Sequence, residues 1–175
     1  MKRKGSFLLT ACGWGLILAV AIAFFLLGED NGEDEDHRVV LRECTERLRV
    51  LGNALQIYTG KNGGSFPVEL EELFQKGFLS DSQAFSCPSK HFHYVYTGMN
   101  LNRKTVSSGM PVAFDSVNNH PDCINVLFAD FQVQTIPLEE SCYSSLISRF
   151  QSLSPEERKQ LSEKFRLLDK IFFLK

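Results

Sequence analysis

Residues 41–58 read LRECTERLRVLGNALQIY, and in them Leu41, Cys44, Leu48, Leu51, Leu55 and Tyr58 recur at spacings of three and four. Arg42, Glu43, Glu46, Arg47 and Arg49 fill the gaps. Apolar residues at this period lie along one face of a helix, so the stretch predicts an amphipathic helix of about 20 residues. Fewer than three heptads is short for a coiled-coil seam, and a sheet is the better partner for the stripe. The helix runs into Gly60-Lys61-Asn62-Gly63-Gly64, which supplies the glycines that a helix end and turn use for positive φ.

Downstream the pattern changes. Ser65-Phe66-Pro67 reads as the start of a second, short helix, with Ser65 as cap, Leu70, Leu73 and Phe74 on one face, and Gly77 as its stop. Residues 91–97 (HFHYVYT), 111–114, 123–129 (CINVLFA) and 133–136 have strand composition, and Ala129-Asp130-Phe131-Gln132 reads as a tight turn. The expected fold is α+β: a long helix, a short helix, then an antiparallel meander of about four strands.

Upstream, Phe7 to Leu27 is an apolar run of about 21 residues behind Lys2, Arg3 and Lys4. At 1.5 Å per residue about 20 apolar residues cross a hydrocarbon core, and the basic cluster stays on the cytoplasmic side. This predicts a cytoplasmic stub at 1–6, a single membrane anchor at 7–27 in contact with lipid, and an exported remainder. Two competing readings are a secretory signal cut after Ala21-Ile22-Ala23 and a lipobox at Leu9-Thr10-Ala11-Cys12. The run is longer than a usual signal core, and Cys12 lies too close to the basic cluster for a lipoprotein signal. Residues 28–36, with six acidic residues, read as a solvated linker.

Beyond the linker about 139 residues remain, one domain's worth, with about 16 basic against 15 acidic residues. So balanced a surface lacks the basic stripe that nucleic acid requires. Four of the five cysteines, Cys44, Cys87, Cys123 and Cys142, fall in the exported part. An even count there fits two disulfides, with three pairings open, and buried free thiols are the alternative.

Cys44-x-x-x-Leu48-Arg49-x-Leu51-Gly52-x-Ala54-Leu55-x-x-Tyr58, then Gly63/Gly64-x-Phe66-Pro67, Cys87-Pro88-Ser89 and Tyr94-x-Tyr96 follow one another in order. Together they resemble the globular part of bacterial type II secretion pseudopilin G-like proteins. His120, nine residues, then Asp130 resembles the prepilin-associated H-x9-DG domain. The resemblance spans roughly residues 37–136, and domain bounds of 37–137 for the exported domain and 138–175 for a helical extension follow. It implies a pilin-like domain at the periplasmic side of a bacterial inner membrane, serving protein transport in a type II secretion or type IV pilus-like assembly.

The sequence departs from that pattern in two places. Phe131 stands where the family has glycine, so the turn is expected to be of another type or shifted by a residue. At the anchor, Ser6 intervenes between Gly5 and Phe7, giving a degenerate processing site, and Thr10 stands where the family carries a membrane-buried Glu.

The tail from Leu138 to Lys175 lies outside the resemblance. Leu146, Ile147, Phe150 and Leu153 read as one helix, and Ser154-Pro155-Glu156-Glu157 as a capping-box start of another. Leu161, Phe165, Leu168 and Phe172 then form a stripe that either covers the sheet or docks a partner helix.

Catalytic signatures are sparse, and the chain is expected to be neither an enzyme nor dependent on a cofactor. Cys87, His91 and His93 form a candidate metal corner, completed by His120 or Asp130, but match no standard zinc spacing. His120 and Asp130 are better placed to fix a loop by hydrogen bonding than to act as an acid/base pair. A structural assembly component is thus the primary expectation. The alternatives are a periplasmic metal- or thiol-handling module and an orphan envelope protein that retains the fold.

Overall fold

The computed structural model describes residues 32–88 and 93–173. The expected anchor at 7–27, the processing site at Gly5 and Ser6, and His91 lie outside the described residues, among which no helix is long and apolar enough to cross a membrane. The chain divides into two compact units, Met1–Val39 and Val40–Lys175. Only the helical residues 32–39 of the first are described, and the fold below is that of the second.

Helix α1 runs Gly32–Lys61, 30 residues. The segment expected as a linker is helical from Gly32 onward, and Asp36 is exposed. Cys44, Leu48, Leu51 and Leu55 are fully buried and Tyr58 nearly so. On the outer face Arg47 pairs with Glu43 at 3.0 Å, and Arg49 with Glu46. Gly63 and Gly64 take φ of 68° and 99°. The Gly64 N–H then reaches back to the Thr59 carbonyl at 2.8 Å, closing the helix.

The second helix is shorter than expected. Helix α2 is Glu71–Gln75, with Leu70 as its N-cap, and Ser65 instead bridges to Asn102. The Phe66 N–H also bonds the Leu101 carbonyl at 3.1 Å, so this segment is extended by tertiary pairing. Leu70 and Leu73 are buried but Phe74 is exposed, which corrects the shared face. Gly77 stops the helix with a φ of 72°. A short 3-10 helix, Ser82–Phe85, follows, capped by the Asp81 carboxylate on the Gln83 N–H.

The sheet is a four-stranded antiparallel meander in sequence order: β1 Val95–Tyr96, β2 Pro111–Phe114, β3 Cys123–Phe128 and β4 Val133–Pro137. Only β1 is much shorter than expected, because His93 forms an isolated bridge with Ser86. In the central pairing Ala113 faces Leu127 and Phe114 faces Val126. Alternate strand residues point to opposite faces, so Leu127 and Ala113 look one way and Phe114 and Val126 the other.

Both faces are covered. Gly52 of α1 lies against Leu127, close enough that an added Cβ would stand 2.9 Å from its Cδ1. On the opposite face, Phe114 meets Phe165 edge-on at 5.5 Å and Tyr143 at 5.7 Å, and Phe128 meets Phe150 at 5.9 Å. Those partners come from the tail: Tyr143 and Phe150 flank a 3-10 helix at Ser144–Arg149, where a longer helix was expected, and Phe165 lies in helix α3, Pro155–Phe173. Covered twice over, β2 and β3 are buried at every residue.

Helix α3 opens on the expected capping box, with the Ser154 N–H donating to Glu157 Oε2 at 2.8 Å and the Glu157 N–H to Ser154 Oγ at 3.3 Å. Its stripe faces inward: Leu161 and Phe165 are fully buried and Leu168 half-buried. Leu161, Phe165 and Leu168 thus pack within the chain. The Phe172 side chain lies outside the described residues.

Candidate metal centre

On the α1 side of the sheet, four segments bring polar groups to one buried point. Cys44 is in the apolar stripe of α1, so the period that buries Leu48 and Leu51 buries its thiol as well. Cys87 follows the 3-10 helix, and Arg47 ties that segment to α1 by donating to the Gln83 and Ser86 carbonyls at 3.2 and 3.1 Å. Asp115 immediately follows β2 and continues its pairing, its N–H bonding the Asn125 carbonyl at 3.0 Å. His120 lies in the loop from β2 to β3, held by the Asn119 N–H on the Ser116 carbonyl at 2.9 Å.

The sulfurs of Cys44 and Cys87, the Asp115 carboxylate and the His120 imidazole all lie within 4.8 Å of one another. Cys44 Sγ donates to Asp115 Oδ1 at 2.8 Å, and Cys87 Sγ lies 3.6 Å from His120 Nε2. His120 Nε2 is 3.5 Å from Asp115 Oδ2, which also accepts the Asn125 N–H at 3.1 Å. The Tyr94 hydroxyl sits 3.3 Å from the Cys44 sulfur and donates to the Cys44 carbonyl at 3.2 Å. All four side chains are buried.

Burial without charge compensation is costly, so the protonation of such a cluster is set by its own members. Burial alone would lower the His120 imidazole, but hydrogen bonds to Asp115 and Cys87, with their charges, outweigh it and raise it to about 9. The adjacent Cys87 thiol, burial and the Asp115 charge push the Cys44 thiol well above the usual range. A thiol held protonated is a poor nucleophile. The same proton must leave before such a thiol can bind a metal ion.

The structure regroups the residues that the sequence singled out. Cys87 points into the core while His93 is exposed, so these two do not form a shared metal corner. His120 does join Cys87, with Cys44 and Asp115 as the further donors. Asp130 is exposed and fixes its own turn by accepting the Gln132 N–H at 3.0 Å. The two expected disulfides are not formed in the structure: among the described residues no bridge joins Cys44, Cys87, Cys123 or Cys142, of which the first three are buried. Cys123 is pushed up to about 12 by burial and the neighbouring Asp122. Asp115 escaped the sequence reading, and the available signal was an acidic residue directly after the apolar run Pro111–Phe114.

Comparison of the chain with protein-family models, curated proteins and solved structures finds no match.

Proposed function

We infer that the chain is a membrane-tethered, pseudopilin-like structural component working in or beside a type II secretion or type IV pilus-like assembly at the bacterial inner membrane. Its mechanism is recognition and assembly without turnover. The observation that supports this reading is architectural: a 30-residue helix leads into an antiparallel meander and packs on it through Gly52. The ordered motifs from Cys44 to Asp130 lie along that same stretch. The outer face of α1 also leaves Val50 and Ile57 about half exposed, at 49% and 53%, one heptad apart on the side facing away from the sheet.

A photo-crosslinker placed at Val50 or Ile57 in intact cells tests the reading. Capture of a secretion or pilus component is expected. Capture of none from either position, with the protein at its natural level, overturns it.

A further inference from the structure

The four converging side chains offer two sulfurs, one imidazole nitrogen and one carboxylate oxygen, the donor types that hold zinc. Zinc bonds of about 2.3 Å to sulfur and about 2.0–2.2 Å to nitrogen or oxygen set tetrahedral ligand atoms about 3.3–3.8 Å apart. Cys87 to His120 at 3.6 Å and His120 to Asp115 at 3.5 Å already match those edges. The Cys44 contact of 2.8 Å is a proton-mediated bond to the other carboxylate oxygen, Oδ1, and it opens when the ion replaces the proton.

We propose that Cys44, Cys87, Asp115 and His120 form a structural zinc(II) site that pins α1 and the loop after Ser82–Phe85 to the sheet. The donors fill all four positions and are buried, so no place remains for a catalytic water. Zinc enters as the divalent ion without change of oxidation state. The two thiol protons and the imidazolium proton leave to solvent. The bound cluster carries one net negative charge, which the Asn125 N–H on Asp115 and the Tyr94 hydroxyl beside Cys44 are placed to offset. Calcium and magnesium do not fit, because one carboxylate among two sulfurs cannot supply their oxygen shells. The competing use of the sulfurs is a Cys44–Cys87 disulfide. That bond would use two of the four groups and leave the Asp115–His120 pair beside it, whereas zinc uses all four.

The full-length protein, purified in detergent without chelator or added thiol, tests this by elemental analysis after removal of free metal. About one zinc per chain is expected, retained in a Cys123→Ser/Cys142→Ser double variant. Affinity is expected to fall more than about tenfold in Cys44→Ser, Cys87→Ser or His120→Ala. Cobalt(II) chloride titrated into the metal-free wild type keeps the test independent of variant folding. It should produce thiolate charge-transfer absorption and the intense ligand-field bands of a tetrahedral ion. Zinc-free wild type that also fails to develop that spectrum overturns the proposal. So does a Cys44–Cys87 disulfide, found by peptide mapping of protein isolated directly from cells, or wild-type affinity in Cys44→Ser.

Discussion

The Cys44 thiol donates to the Asp115 carboxylate across 2.8 Å, joining a helix residue to a strand-end residue 71 positions away. Asp115 is fully buried, and its other oxygen faces the Asn125 N–H and the imidazole of His120. In this structure one carboxylate therefore serves a thiol, a backbone N–H and a buried imidazole. Removing it takes the acceptor from the Asn125 N–H and the carboxylate from the thiol and the imidazole, and breaking a buried pair from one side costs about 3–5 kcal/mol. Asp115→Ala should lose that much in urea denaturation. A loss below about 1 kcal/mol would show that water or another group replaces the carboxylate.

Glu157 gives the chain an acid-sensitive fastening. It accepts the Ser107 N–H and hydroxyl at 2.7 and 2.5 Å and the Ser154 hydroxyl at 2.7 Å, tying the start of α3 to the loop before β2. Burial opposes its ionisation, but these hydrogen bonds outweigh burial and lower the carboxyl from 4.5 to about 2. Because the folded value is depressed, the stabilisation is present above about pH 4.5 and is lost as pH falls from there through about 2. For a half-exposed group the effect is on the order of 1 kcal/mol. Unfolding curves of wild type and Glu157→Gln should converge as the pH is lowered over that window. Parallel curves would assign the acid sensitivity elsewhere.

The contrast between the sheet and the buried quartet shows what a sequence carries. Strands β2 to β4 were legible because Pro111–Phe114 and Cys123–Phe128 are apolar runs with turn residues between them, a local signal. The lower half of α1 was legible for the same reason, through the period of Leu48, Leu51 and Leu55. That residues 32–36 are helical too was not, because Gly32 and the acids Glu33 to Asp36 carry no apolar period of their own. Ser65 looked like a cap until Asn102, far along the chain, bridged to it. The quartet depends wholly on such distant meetings. Cys87 and His120 are 33 residues apart, and no local pattern marks Asp115 as their neighbour.

The turn after β3 holds a strained residue. The Phe131 N–H bonds the Phe128 carbonyl at 2.9 Å, the Phe128 N–H bonds the Gln132 carbonyl at 2.9 Å, and Phe131 has φ of 69°. This is a three-residue loop with its last member left-handed, a different turn from a two-residue Asp-Gly hairpin, and Phe sits where glycine is cheapest. The ring offsets the strain by packing on Phe66 at 6.1 Å and under Arg103 at 4.8 Å. Phe131→Ala keeps the strain and loses the ring, whereas Phe131→Gly loses both. The glycine variant should therefore be the more stable of the two by about 1 kcal/mol in chemical denaturation. An alanine variant equal to or above glycine would mean that the backbone relaxes.

Gly52 sets how closely α1 approaches the sheet. A Cβ there would stand 2.9 Å from Leu127 Cδ1 and 3.4 Å from the Phe131 carbonyl oxygen, so the first contact can yield by a rotamer shift while the second is backbone. For Gly52→Ala, the helix preference of alanine, worth up to about 1 kcal/mol, opposes the crowding, and the midpoint of thermal unfolding should barely move. Gly52→Val adds two further carbons at the same point and should cost about 1–3 kcal/mol, lowering the midpoint by about 2–4 °C per kcal/mol. Trimming the partner separates the two possible origins of that loss. If the contact with Leu127 is responsible, Gly52→Val will cost less in a Leu127→Ala background than in the wild type. If the cost is the same in both, it arises from the valine backbone preference and the Phe131 carbonyl, and the spacing of helix and sheet is not fixed by Leu127.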